Sequence, residues 1–159
     1  MHKQALLFFL LGTAAACVGV EPASAGTVNQ AWNLYQDFKS KTCSGSADCY
    51  LFLPAVAGTN GSSSVEITNV TCDISIASPQ GGVTILELGQ GHEPNSFADG
   101  EFIAPVSYLG FGGAQTTAQA SGAALYVVPA GTQPVVLMEY SPSGAQATLA
   151  CSISGPYRK

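Results

Sequence analysis

The run Val65-Glu66-Ile67-Thr68-Asn69-Val70-Thr71-Cys72-Asp73-Ile74-Ser75-Ile76 decides the fold. β-branched residues dominate it, and these suit a pleated, half-buried surface better than a helix. Its apolar side chains fall at alternate positions, the spacing of a strand with one buried face. The inward set shifts from Val65 and Ile67 to Val70, Cys72, Ile74 and Ile76, which predicts a bulge near Asn69. The last apolar run repeats the pattern, with Ala147, Leu149, Cys151 and Ile153 sharing one face. Cys72 and Cys151 therefore point the way the core residues point, and a bridge between them, crossing the core of a sandwich, is expected.

Further strand signals surround these two runs. Tyr50 to Val56 is apolar and aromatic, and Gly58-Thr59-Asn60-Gly61 with the following serines makes a loop. Gln80-Gly81-Gly82 turns the chain into a strand from Val83 to Leu88. Gly89 to Gly100 has the composition of a loop, Phe102 to Phe111 of a strand, and Ala114 to Ser121 of a weak edge strand. Ala123 to Val128 and Pro134 to Tyr140 flank Pro129-Ala130-Gly131-Thr132-Gln133 as a hairpin. Ser141 to Gly144 is a turn, and Ala145 to Ser154 closes the domain. This makes about seven or eight short strands, the pattern of a single antiparallel β-sandwich, jelly-roll-like or Greek-key. One short N-terminal helix is predicted over 27–38. Thr27 and Gln30 stand at capping-box spacing, and Val28, Ala31, Trp32, Tyr35 and Phe38 recur every three or four residues. Strand alternation through Trp32, Leu34 and Phe38 competes with it, and Trp32 is expected to anchor this segment on the sandwich.

The N-terminus has the form of a secretory signal. His2 and Lys3 precede an apolar run from Ala5 to Val20, and Ala23-Ser24-Ala25 is a small-x-small cleavage site. The expected organisation is a signal peptide at 1–25, a helical segment with a disulfide clasp at 26–48, and a β-sandwich domain at 49–159. Acylation of Cys17 is the alternative, but Ala14-Ala15-Ala16 before it lacks the usual Leu or Val. Cleavage near Ala25 removes Cys17 and leaves Cys43, Cys49, Cys72 and Cys151 in an oxidising compartment, secreted or periplasmic. Four cysteines allow three connectivities, of which Cys43–Cys49 with Cys72–Cys151 is favoured. No C-x-x-C pair supports zinc or dithiol chemistry.

Charge excludes several partners. Only 9% of residues are charged, against roughly 25% in ordinary soluble domains. No Lys or Arg occurs from Thr42 to Tyr157, where Asp48, Glu66, Asp73, Glu87, Glu93, Asp99, Glu101 and Glu139 all lie. Such a surface repels phosphate backbones and anionic lipid, so no nucleic acid partner is expected. No apolar run after the signal approaches about eighteen residues, so no membrane insertion of the mature chain is expected.

Candidate functional groups centre on one loop. His92, the only histidine beyond the signal, stands in Gly89-Gln90-Gly91-His92-Glu93-Pro94-Asn95 and suits a metal ligand or general base. Glu87, Glu93, Asp99 and Glu101 supply hard oxygen ligands for Ca²⁺, although no EF-hand or glycine-rich calcium repeat accompanies them. The weak metal candidates are thus His92, Glu93, Asp99 and Glu101, and no cofactor is expected. Tyr50, Tyr108, Phe111, Tyr126 and Tyr140 are candidates for stacking on sugars, with core packing the plain alternative. Asn60-Gly61-Ser62 and Asn69-Val70-Thr71 match the glycosylation acceptor pattern. The function expected is a non-enzymatic binding or adhesion module for an extracytoplasmic glycan or protein. The alternatives are a structural or assembly subunit, then a small secreted hydrolase using His92 with nearby acids.

Overall fold

The computed structural model describes residues 33–58, 64–94, 96–103 and 106–159, with the backbone alone at 99, 102, 111 and 112. These residues form nine strands: β1 (Leu34–Cys43), β2 (Asp48–Phe52), β3 (Ser64–Ile76), β4 (Gly82–Gly91), β5 (Ala98–Phe102), β6 (Ser107–Gly112), β7 (Gln115–Pro129), β8 (Gln133–Ser141) and β9 (Ala147–Arg158). Two sheets result, a five-stranded one in the order β1-β9-β3-β7-β6 and a four-stranded one in the order β2-β8-β4-β5. Every pairing is antiparallel. The core lies between the sheets. Val70, Ile74, Ile76, Leu149 and Ile153 come from one side, and Leu51, Leu86, Leu88, Val136 and Met138 from the other.

No helix occurs among the described residues. The predicted helix over 27–38 is corrected from Leu34 onward, where the chain is strand β1, paired with β9 from Leu34↔Pro156 to Cys43↔Ala147. Residues 27–32, Trp32 included, lie outside the described residues. Period two explains the correction. Tyr35 is fully buried and Phe38 is 52% exposed, so the two aromatics taken as one helical face stand on opposite faces of a strand. β1 is hydrogen-bonded into the larger sheet, so the segment 34–48 belongs to the sandwich. The strand count also exceeds the seven or eight expected. Part of the expected 89–100 loop is strand in β4 and β5, and the expected strand over 102–111 falls partly at the end of β5 and partly in β6. Two expected strands, 114–121 and 123–128, are the single fifteen-residue β7. The bulge lies where the sequence places it, with β3 shifting register between Ile67 and Asn69 against β7.

The disulfides are Cys43–Cys49 and Cys72–Cys151. The geometry of the second differs from a bridge across the core. Cys72 and Cys151 are directly opposite on neighbouring strands of one sheet, with Cα atoms 4.1 Å apart, and both are fully buried. Alternation fixes which face a sulfur occupies but not which sheet its partner belongs to. The short bridge is the one that joins the two sheets, linking β1 to β2 at their edges. Beside it, Lys39 Nζ donates to the Phe52 carbonyl at 2.7 Å and Lys41 Nζ to the Tyr50 carbonyl at 3.0 Å. The lysines thus occupy carbonyls on an edge strand, a device that blocks pairing with another chain. Both bridges are compatible with an oxidising, extracytoplasmic location. No helix among the described residues is long and apolar enough to cross a membrane.

Asp37 is the one buried acid of β1, 3% exposed. Its Oδ1 accepts the Phe38 N–H at 2.7 Å, while Oδ2 is buried without a hydrogen-bond partner among the described residues. Burial raises its carboxyl above the ordinary range, against smaller lowering contributions from the Phe38 N–H and Lys39. A carboxyl raised on folding favours the fold while protonated. That contribution is lost as pH rises from the unfolded value, about 3.9, through the higher folded one. Asp37→Asn is therefore expected to raise the melting temperature at pH 7, with the gain shrinking towards pH 3. A lower melting temperature at pH 7 in thermal scans would show that the carboxylate has a stabilising partner.

Candidate functional site

The loop around His92 does not assemble a site among the described residues. His92 and Glu93 occupy the turn between β4 and β5, both exposed. The turn is organised through backbone groups. The His92 N–H donates to Ser96 Oγ at 2.6 Å, Ser96 Oγ donates to the His92 carbonyl at 3.0 Å, and the Glu93 N–H donates to Gln133 Oε1 at 2.8 Å. Glu101 pairs opposite the inward-facing Leu88 and Glu87 opposite Phe102, so these two acids leave the small sheet on opposite faces. The Asp99 side chain lies outside the described residues. No group of three or more His, Cys, Asp or Glu that could hold a metal occurs among the described residues.

The aromatic candidates are also dispersed. Tyr140 is buried, its hydroxyl donating to the Ala145 carbonyl at 3.1 Å. Tyr108 on β6 accepts the Val83 N–H at 3.0 Å and donates to the Val83 carbonyl at 3.3 Å. Tyr126 on β7 donates to the Ala98 carbonyl at 3.3 Å. Tyr108 and Tyr126 therefore fasten the large sheet to the small one on the side away from β1 and β2. The Phe111 side chain lies outside the described residues. Among the candidates with described side chains, only Tyr50 stands on an outer face, that of the small sheet, with ring centroids 6.5 Å from Phe52 and 6.1 Å from Phe97. Burial raises the pKa of its hydroxyl, followed by Asp48 and Glu139, which lie opposite each other in the β2–β8 register.

The outer face of the five-stranded sheet has a different chemistry. Reading across β1, β9, β3 and β7, its rows are Gln36–Ser154–Asn69–Ala123, Phe38–Ser152–Thr71–Ser121, Ser40–Ala150–Asp73–Gln119 and Thr42–Thr148–Ser75–Thr117. Hydroxyls hold most of these positions and Asp73 is the only charge. Neighbouring rows and strands space them on a lattice of about 4.8 Å by about 6.8 Å. Part of the lattice is tied internally: Thr42 Oγ1 lies 3.2 Å from Thr148 Oγ1, and Gln119 Nε2 donates to Asp73 Oδ1 at 3.2 Å. Where β6 flanks β7 the face dips into a depression of about 270 Å³, in which Asp73, Ser75, Thr117 and Thr148 rim a surface that is mostly apolar, with Leu109, Ile74, Ala118 and Ala150 among its lining. Hydroxyls both donate and accept, so the face offers paired donor and acceptor groups without net charge. Leu109 supplies one apolar wall, 66% exposed.

Sequence reasoning missed this face because it sought ionisable groups and rings. The signal was the polar phase of the same alternation that marks the core, for example Thr148, Ser152 and Ser154 between the buried residues of β9. Comparison of the chain with protein-family models, with curated proteins and with solved structures finds no match.

Proposed function

We propose that the protein is an extracytoplasmic, non-enzymatic binding module whose five-stranded sheet takes a neutral glycan on its outer face. The observation that carries this reading is the hydroxyl lattice with a single carboxylate beside a depression. A sugar presents hydroxyls that exchange hydrogen bonds with Ser and Thr. The Asp73 carboxylate accepts two such donors with the extra strength of an ionised acceptor. The wall at Leu109 suits the C–H face of a sugar ring. The low charge of the lattice leaves no long-range attraction for ionic ligands, which favours neutral chains over charged ones.

A glycan array probed with the oxidised protein tests the reading. Asp73→Ala and Thr117→Val are expected to reduce the signal about tenfold or more, two lost hydrogen bonds being enough for that, with unchanged melting temperature. A signal insensitive to both, but lost in Tyr50→Ala, would move the site to the outer face of the small sheet. Hydrolysis of any bound glycan that disappears in His92→Ala would replace the binding reading by the hydrolase one.

A further inference from the structure

We propose that the glycan is built from N-acetylated sugars. An acetamido group of one unit enters the depression beside Leu109, while another ring of the same chain stacks on Phe38. The inference rests on the glycan reading above and narrows it to one class of sugar. The lattice offers hydroxyls, yet the surface of the depression is mostly apolar, with Leu109 and Ala150 in it. A sugar hydroxyl sunk against that surface loses water without gaining a partner. The substituent that enters must therefore end in carbon. At about 270 Å³ the depression lies below the range of about 300–1,000 Å³ that encloses a drug-sized ligand. It takes one unit of a chain while the rest lies along the sheet.

The rim selects among carbon-ended substituents. Gln119 Nε2 occupies only Oδ1 of Asp73, so Oδ2 is open to a donor. One row further on, Ser75 and Thr117 stand side by side in the β3–β7 register and present hydroxyls that donate to a carbonyl. Asp73 and Ser75 are two residues apart on one face, so acceptor and donors lie on rows about 6.8 Å apart. The N–H and C=O of a trans secondary amide point in opposite directions. An acetamido group laid between the rows gives its N–H to Asp73 and its carbonyl to Ser75 or Thr117, and its methyl meets Leu109 and Ala150. A deoxy-sugar methyl would fill the depression but leave the rim unused, and a free amine would bring a charge to an apolar surface. Phe38 extends the site. It is 52% exposed on the same outer face, in the row next to that of Asp73 and two strands away. The lattice puts it about 12 Å from Asp73. Its ring offers a planar apolar surface to the C–H side of a second sugar, so the ligand is an oligosaccharide running across the strands.

Two tetrasaccharides of the same β linkage, one of N-acetylglucosamine and one of glucose, test the proposal on the oxidised protein, because they differ only in the acetamido groups. Isothermal titration is expected to show the N-acetylated chain binding about tenfold tighter or more, the effect of one hydrogen bond to a carboxylate. Leu109→Ala should erase most of that preference and leave the melting temperature unchanged, since the side chain is 66% exposed. Phe38→Ala should weaken both tetramers by the same factor. Equal affinity for the two tetramers would overturn the inference while leaving the glycan reading in place. So would a preference that survives Leu109→Ala, or tighter binding of the fully de-N-acetylated tetramer, which would make the site one for amines. If neither tetramer binds, the inference falls, and the glycan array then decides whether any neutral chain still supports the reading beneath it.

Discussion

Replacing Cys72 and Cys151 together by alanine is expected to lower the unfolding free energy by about 4–5 kcal/mol in the chain-entropy model. Their separation is 79 residues, and the loop they close contains every strand from β4 to β8. Without the bridge the unfolded chain regains the freedom of that loop, and pairing β9 beside β3 must overcome it anew. The two cysteines face each other in register, so the bridge also excludes a one-residue slip of β9. Such a slip would turn Leu149, Cys151 and Ile153 out to solvent. Replacing Cys43 and Cys49 opens a loop of separation only 6 and should cost only about 2 kcal/mol. Urea unfolding of both double variants gives the comparison, and dithiothreitol-reduced wild type separates loop closure from the loss of two buried sulfurs. Equal losses, or a larger one for the Cys43–Cys49 pair, would mean that fastening the two sheets together at β1 and β2 outweighs chain entropy.

That comparison bears on a division of labour within the framework. The long bridge joins strands that already share a hydrogen-bonded ladder, whereas the short bridge spans two sheets whose edges share no ladder. On the far side the same joining is done without covalent bonds, by the hydroxyls of Tyr108 and Tyr126 on small-sheet backbone. The sandwich therefore has one side closed by a disulfide and another on which two tyrosine hydroxyls bind the small sheet's backbone.

Much of this was legible in the chain, and the rest was not for identifiable reasons. β3 and β9 were legible because their alternation is unbroken over many residues, and the bulge at Asn69 because it reverses the phase. β1 was obscured because Tyr35 and Phe38 satisfy a helical spacing as well as a strand's. The stretch from Gly89 to Gly100 has loop composition for a packing reason. A Cβ on Gly89 would lie 2.5 Å from the Phe97 ring, and one on Gly100 would lie 2.8 Å from it. These glycines sit in strands so that the Phe97 ring can approach the sheet closely. The hydroxyl face was half legible. Each strand shows its polar phase, but that Thr42, Thr148, Ser75 and Thr117 form one row depends on the order β1-β9-β3-β7, which no local pattern encodes. The length of β7 was hidden because Ser121-Gly122 has the composition of a break between two strands.

Gly155 is a position where the fold has no room for a single added methyl group. The extra residue in β3 pushes its backbone against β9, and a Cβ on Gly155 would meet the Glu66 carbonyl oxygen at 1.8 Å and Ile67 Cα at 2.8 Å. These are backbone atoms, so no side-chain rotation relieves the clash, and either the bulge or β9 must move. On its other side Gly155 pairs with the fully buried Tyr35 of β1, which leaves β9 little room. Displacement of β3 from β9 here also disturbs the Val65↔Tyr157 pairing and the Arg158–Glu66 ion pair just beyond it. Gly155→Ala is therefore expected to cost about 3 kcal/mol, the upper end for overpacking, even after the stabilisation of about 0.4–1 kcal/mol from a less flexible unfolded chain. Gly58→Ala is the matched control. Its Cβ would make an ordinary 3.8 Å contact with Ala130, so only the unfolded-state gain remains and the variant should be neutral or slightly more stable. Urea midpoints of the two variants decide the matter, with amide exchange along β9 reporting whether the ladder beyond Ser154 opens first. If Gly155→Ala proved as stable as Gly58→Ala, β3 and β9 would have to pass farther apart at the bulge than the geometry here requires.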